Sequence, residues 1–123
     1  MKLFLTAAAA LLLASCTTPR SGGVTHVVVF WLKNHGNAAD RAKIIETSES
    51  FRKIPGVISV STGPCIPSAR PIVDSSFDVA VSLTFATQAD LQRYIDHPQH
   101  KAAAEQVLKP LVRKITVFDF GGQ

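Results

Sequence analysis

The stretch Thr25-His26-Val27-Val28-Val29-Phe30-Trp31-Leu32-Lys33 constrains the fold most, because it reads as a strand without a polar face. Successive side chains of a strand point to opposite sides, so His26, Val28, Phe30 and Leu32 share one face and Val27, Val29 and Trp31 the other. Apart from His26, both sets are apolar. A sheet with one solvated face alternates polar and apolar residues, whereas this segment demands cover on both sides.

The rest of the chain supplies that cover. Asn34 to Asn37 is a turn, Asn37 is a helix N-cap, and 38–53 is a helix with Ile44, Ile45, Ser48 and Phe51 on one stripe, stopped by Pro55-Gly56. A weaker strand follows over 57–62. Residues 63–75 hold Pro64, Pro67 and Pro71, a loop able to cross the mouth of a pocket. Phe77, Val79, Val81, Leu83 and Phe85 alternate with Asp78, Ala80, Ser82 and Thr84, which predicts a strand over 77–85. Thr87 caps a short helix through Ile95. Pro98 opens another helix running to about Leu108, with Pro110 as its stop. The last strand spans 114–120.

The order β-α-β-β-α-β is the ferredoxin-like α+β arrangement: one antiparallel four-stranded sheet with both helices on one face. The other face keeps Val27, Val29, Trp31, Ile58, Val60, Phe118 and Phe120. So much exposed apolar surface is anomalous for a lone domain. Two sheets packed face to face about a twofold axis would bury it, so a homodimer is expected.

The first fifteen residues stand outside this fold. Met1-Lys2 is a short positive start, Leu3 to Leu13 is apolar apart from Thr6, and Ala14-Ser15 precedes Cys16. The run is too short for a membrane span, which needs about 20 residues, and has the length of a secretory core. It resembles a bacterial lipobox, which implies a signal peptide over 1–15 and a diacylated Cys16 carrying palmitate-type chains. The domain (25–120) would then hang from a tether (16–24), lipid-anchored at the extracytoplasmic or periplasmic side of the bacterial cell envelope. At about 0.8 kcal/mol per buried CH₂, two or three chains anchor effectively permanently.

Of 13 Lys+Arg, twelve remain without Lys2, against nine Asp+Glu, and no basic cluster exceeds Arg52-Lys53 or Arg113-Lys114. That excludes a nucleic-acid stripe. With Cys16 acylated, Cys65 has no partner for a disulfide and reads as a small, partly buried residue. His26, His97 and His100 show no i, i+4 ligand spacing, so neither a metal nor another cofactor is expected.

Polar groups nevertheless fall where a core should be: His26 on the first strand, Asp119 on the last beside Ile115 and Val117, and Tyr94, His97 and His100 around Tyr-Ile-Asp-His-Pro-Gln-His. Burying them without partners is costly, so they should bond one another or line a wet cavity. A first strand of His-Val-Val-Val-Phe, a Tyr-x-x-His-Pro-x-His junction and a closing Val-Phe-Asp-Phe strand resemble the stress-responsive A/B barrel (Dabb) family over residues 25–120. The resemblance implies a dimeric α+β barrel with a pocket between helices and sheet. One plant member closes a polyketide chain by an aldol step, and its functional tyrosine and histidines match Tyr94, His100 and His26, with an aspartate at Asp119. A further pocket histidine of that enzyme falls at Val79, a departure from its pattern. Heme-handling dimeric α+β barrels are a weaker comparison, with His26 or His100 as the axial residue.

Read chemically, His100 is a general-base candidate, Asp119 would orient it and raise its pKa unless burial offsets the gain, and Tyr94 would donate to an enolate oxygen. The structural alternatives carry equal weight. Tyr94 is also a core ring, His97 and Asp96 are caps for the helix at Pro98, and His100 with Asp119 is also a buried tie between helix and strand. Two functions therefore stand side by side. One is a membrane-anchored module binding a small apolar or aromatic molecule, with weak proton-transfer or cyclase-like activity. The other is a non-catalytic, stress-related binding or structural homodimer.

Overall fold

The computed structural model describes residues 22–122 of the 123-residue chain. The expected signal peptide, Cys16 and most of the tether lie outside the described residues. The strands are β1 (Val24–Leu32), β2 (Val57–Pro64), β3 (Val79–Phe85) and β4 (Val112–Gly121). They form one antiparallel four-stranded sheet in the order β2-β3-β1-β4. Helix α1 (Ala38–Ser50) links β1 to β2, while α2 (Gln88–Asp96), α3 (Pro98–Ala103) and a last turn, α4 (Lys109–Leu111), link β3 to β4. The ferredoxin-like order read from the sequence is the order observed.

Local chemistry places the helix starts. The Asn37 side chain accepts from the Asp40 N–H at 2.9 Å, and the Thr87 hydroxyl from the Asp90 N–H at 3.1 Å. His97 Nδ1 accepts from the Gln99 N–H at 3.1 Å and caps α3 ahead of Pro98. Each satisfies a donor that a helix N-terminus leaves open. Asp96, also expected as a cap, instead accepts from the Gln92 side chain.

The helix after Pro98 does not stop before Pro110. Residues Ala104–Leu108 form a π-helical turn, with the Lys109 N–H reaching back to the Ala104 carbonyl, and helix continues to Leu111. Proline has no N–H to donate and crowds the carbonyl four residues earlier; a widened turn ahead of it absorbs both effects.

Side-chain faces differ from expectation at three places. Val60 points to the helix side and joins the core with Leu32, Ile44, Ile54, Leu83 and Phe85. The register shift between Val57 and Ser59 moves β2 out of strict alternation, which the bare pattern does not show. Strand β3 begins at Val79, so Phe77 is free to pack edge-on against Trp31. Asp78, assigned to the same face as Ala80, is buried, and its carboxylate accepts from the N–H groups of Leu32 (2.8 Å) and Gly36 (2.7 Å) and from His35 Nδ1 (3.0 Å). Gly36 adopts φ +78°, which lets the turn aim its N–H at that carboxylate. His35 itself is largely exposed.

Trp31 is already covered on the outer face. Its indole N–H donates to the Ser76 hydroxyl at 3.0 Å, and Lys114 Nζ lies 4.3 Å from the ring centre. Phe118 and Phe120 remain 58% exposed each, and Ile58 66%.

Candidate active site

Between the helices and the inner face of the sheet lies a cavity of about 350 Å³. It exists because small residues stand where large ones would close it. On α1, Ser48 follows the buried Ile44 by one helical turn, and Ala104 sits in the π-helical turn opposite; both line the space. Val28, Phe30, Val81, Leu83 and Leu108 make most of the wall apolar, and Ile115 and Val117 of β4 border the open side. The polar lining is His26, Ser48, Tyr94, His100 and Asp119. Four of the five polar residues singled out in the sequence, His26, Tyr94, His100 and Asp119, therefore meet at one cavity, while His97 serves as a helix cap.

Their pairing differs from expectation. Asp119 bonds not His100 but His26, with Oδ1 2.5 Å from Nδ1. The two residues are directly opposed in the β1–β4 register, so strand pairing itself brings them together. A carboxylate accepts, so the His26 proton sits on Nδ1 and Nε2 is left to the cavity. The His26 side chain is 8% exposed and that of Asp119 47%, which places the pair at the cavity's edge.

His100 turns the other way. Its Nδ1 lies 3.1 Å from the Ile95 carbonyl. A carbonyl only accepts, so Nδ1 carries the proton and Nε2 is the free acceptor. Burial pushes the His100 pKa below the ordinary histidine range; the Ile95 bond opposes that only in part, and nearby His26 and His97 add to the lowering. The expected upward shift required Asp119 as partner and does not occur. The neutral form of His100 therefore predominates at pH 7.

Tyr94 is 2% exposed, its ring centre 4.5 Å from that of His100 and 5.9 Å from that of His26, with Phe51 and Phe85 against it. Its ring is thus core and its hydroxyl is not: Tyr94 Oη has no protein hydrogen-bond partner among the described residues, while no fully buried side-chain N or O atom lacks one. Burial raises its pKa far above the usual phenol value, so it stays a hydrogen-bond donor. The site therefore offers a donor, Tyr94 Oη, and an acceptor, His100 Nε2, on rings whose centres lie 4.5 Å apart in the wall of one largely apolar cavity. Ser48 was legible only as part of the α1 stripe; a serine among Ile44 and Phe51 was the available signal.

The loop after β2 does not border this cavity. It flanks a wider concavity of about 410 Å³ on the outer face, lined by Val27, Ala80, Ser82, Ile66, Val73 and Phe77 among others. Asp74 is the lone ionisable residue there, so that hollow has little capacity for chemistry. Cys65 is partly buried, as expected, and among the described residues its thiol forms no disulfide.

Comparison with known proteins gives a family match and a set of similar folds. The family model "Stress responsive A/B Barrel Domain" matches residues 24–121. A Dabb family protein with a ferredoxin-like fold from Mesorhizobium loti is 27% identical, with a TM-score of 0.68, covering 83% of this chain and 98% of that one. A hydroxynitrile lyase from Passiflora edulis is 22% identical, with a TM-score of 0.72, covering 85% and 96%. A dimeric ferredoxin-like protein of unknown function from Thermobifida fusca is 18% identical, with a TM-score of 0.67, covering 84% and 93%. No curated protein matches the sequence.

Proposed function

The chain belongs to the stress-responsive A/B barrel domain family, and from that premise we propose that it is a membrane-anchored module binding a small, mostly apolar ligand with a hydroxyl or carbonyl group. The observation that carries this reading is the juxtaposition of an unpartnered Tyr94 hydroxyl and a neutral His100 Nε2 in a cavity of about 350 Å³. That volume lies at the small end of ligand sites, and a largely apolar wall with a few convergent polar groups is how such sites are built. An aromatic or aliphatic molecule of modest size fits it.

The same pair supports weak proton transfer. With a ketone in the cavity, His100 Nε2 takes a proton from the carbon beside the carbonyl, the C–H electron pair moves into the enolate, and the Tyr94 hydroxyl donates to the enolate oxygen. A neutral imidazole is the state this step needs. His26, oriented by Asp119, offers Nε2 as a further acceptor at the edge of the cavity. Val79 is fully buried and outside the cavity wall, so no group here replaces the extra histidine of the plant cyclase. That favours the second, non-catalytic reading over full cyclase chemistry. Two arms separate the readings. Incubating the full chain with acetophenone in D₂O should show exchange of the methyl protons faster than buffer, lost in His100→Ala; binding without exchange leaves a binding module. The absence of both binding and exchange would refute the proposal.

A homodimer is part of the reading. Phe118 and Phe120 stand exposed on the outer face, and the Thermobifida relative is described as dimeric. Attachment through Cys16 rests on the sequence of the leader alone.

A further inference from the structure

Ser48 is 1% exposed, and its one-turn neighbours on the buried stripe of α1 are apolar. Unlike Ser50, whose hydroxyl donates to the Thr47 carbonyl at 2.6 Å, Ser48 Oγ has no protein partner among the described residues. Since no fully buried side-chain N or O atom among the described residues is left unpartnered, the small remaining exposure of Ser48 belongs to its hydroxyl, facing the cavity it lines. A buried hydroxyl without a partner is unfavourable, and helix serines ordinarily escape the penalty by bonding back to the preceding turn. This one keeps its donor and acceptor for whatever fills the cavity.

Building on the cavity reading above, we propose that Ser48 is a specificity-determining contact. It selects ligands with a second polar group, a hydroxyl or carbonyl, besides the one held by Tyr94 and His100. The cavity then takes a doubly functionalised molecule rather than one ending in a plain alkyl tail. A hydroxyl as the first group both donates, to His100 Nε2, and accepts, from Tyr94 Oη, whereas a carbonyl only accepts, from Tyr94. The second meets Ser48, which shares the cavity wall with the apolar Val81, Leu83 and Leu108.

Two probes of nearly the same shape test this: 4-ethylphenol and 4-(2-hydroxyethyl)phenol, titrated by calorimetry into the purified full chain. Wild type should bind the diol tighter by roughly two- to tenfold, the range of one net hydrogen bond. Ser48→Ala should abolish the preference, and Tyr94→Phe should weaken both probes while keeping it. Ser48→Cys, similar in shape but a poor hydrogen-bonding group, gives the same readout should Ser48→Ala fail to fold. A preference that persists in Ser48→Ala, or a wild type that binds both probes equally, overturns the role of Ser48 and leaves the cavity reading standing. If neither probe binds wild type, the cavity reading falls and this inference with it.

Discussion

Removing the Asp119 carboxylate tests which histidine it serves. The carboxylate is 2.5 Å from His26 Nδ1 and makes no bond to His100. Asp119→Ala strands an N–H on a ring that is 8% exposed. A hydrogen bond to a charged group is worth about 1.5–3 kcal/mol when buried, whereas an exposed ion pair contributes about 0–1 kcal/mol. With the aspartate side chain 47% exposed, the pair lies between these limits, and a loss of about 1–2 kcal/mol is expected. For a domain of this size that lowers the thermal midpoint by roughly 5–10 °C. Asp119→Asn retains an acceptor oxygen in the same position and should recover more than half of the loss. Urea unfolding gives the stabilities, and ring-proton NMR follows His100 in the same samples. The His100 midpoint should not fall in either variant, since Asp119 makes no bond to it. An Asp119→Ala chain as stable as wild type, or one whose His100 midpoint falls, would refute the assignment.

Tyr94→Phe should alter stability by less than about 0.5 kcal/mol, because the hydroxyl has no protein partner to lose, while weakening any phenol or ketone bound in the cavity; a large destabilisation in urea would mean that the hydroxyl is structurally bonded. For His100, the folded pKa lies below the unfolded value of 6.5, so the unfolded chain binds the proton first and its contribution to stability is complete above that pH. It is lost as pH falls through the folded value, and His100→Gln should flatten the stability profile there. Asp78→Ala should cost about 2–4 kcal/mol, since it leaves the N–H groups of Leu32 and Gly36 without their acceptor. Those bonds hold the Asp78 carboxyl below the usual carboxylate range against its burial, so the stability they give is present above the unfolded value of 3.8 and fades as pH falls through the folded one. Val29→Glu on the outer face should yield a monomer by sedimentation, and a wild type already monomeric at micromolar concentration would contradict the dimer. Cys16→Ala should abolish acylation in cells, checked by mass spectrometry of the mature N-terminus.

Much of the architecture was legible because its determinants are local. Apolar alternation in Val79–Phe85, the caps Asn37, Thr87 and His97, and the Pro55-Gly56 stop each act within a few residues, so reading along the chain finds them. The grouping of His26, Tyr94, His100 and Asp119 at one cavity was also foreseeable, as polar residues at core positions joined by a family resemblance. Tertiary structure decided how they pair. Asp119 meets His26 across 93 residues because the β1–β4 register sets those two opposite each other, and a strand's pattern does not disclose its register with a distant partner. His100 goes to the Ile95 carbonyl because the break between α2 and α3 frees that oxygen, and burial then lowers its pKa. The sequence by itself thus determined the layers and the residues between them. The hydrogen-bond partners, the protonation state of His100 and the free hydroxyl of Ser48 depend on distances between separate elements, and only packing sets those.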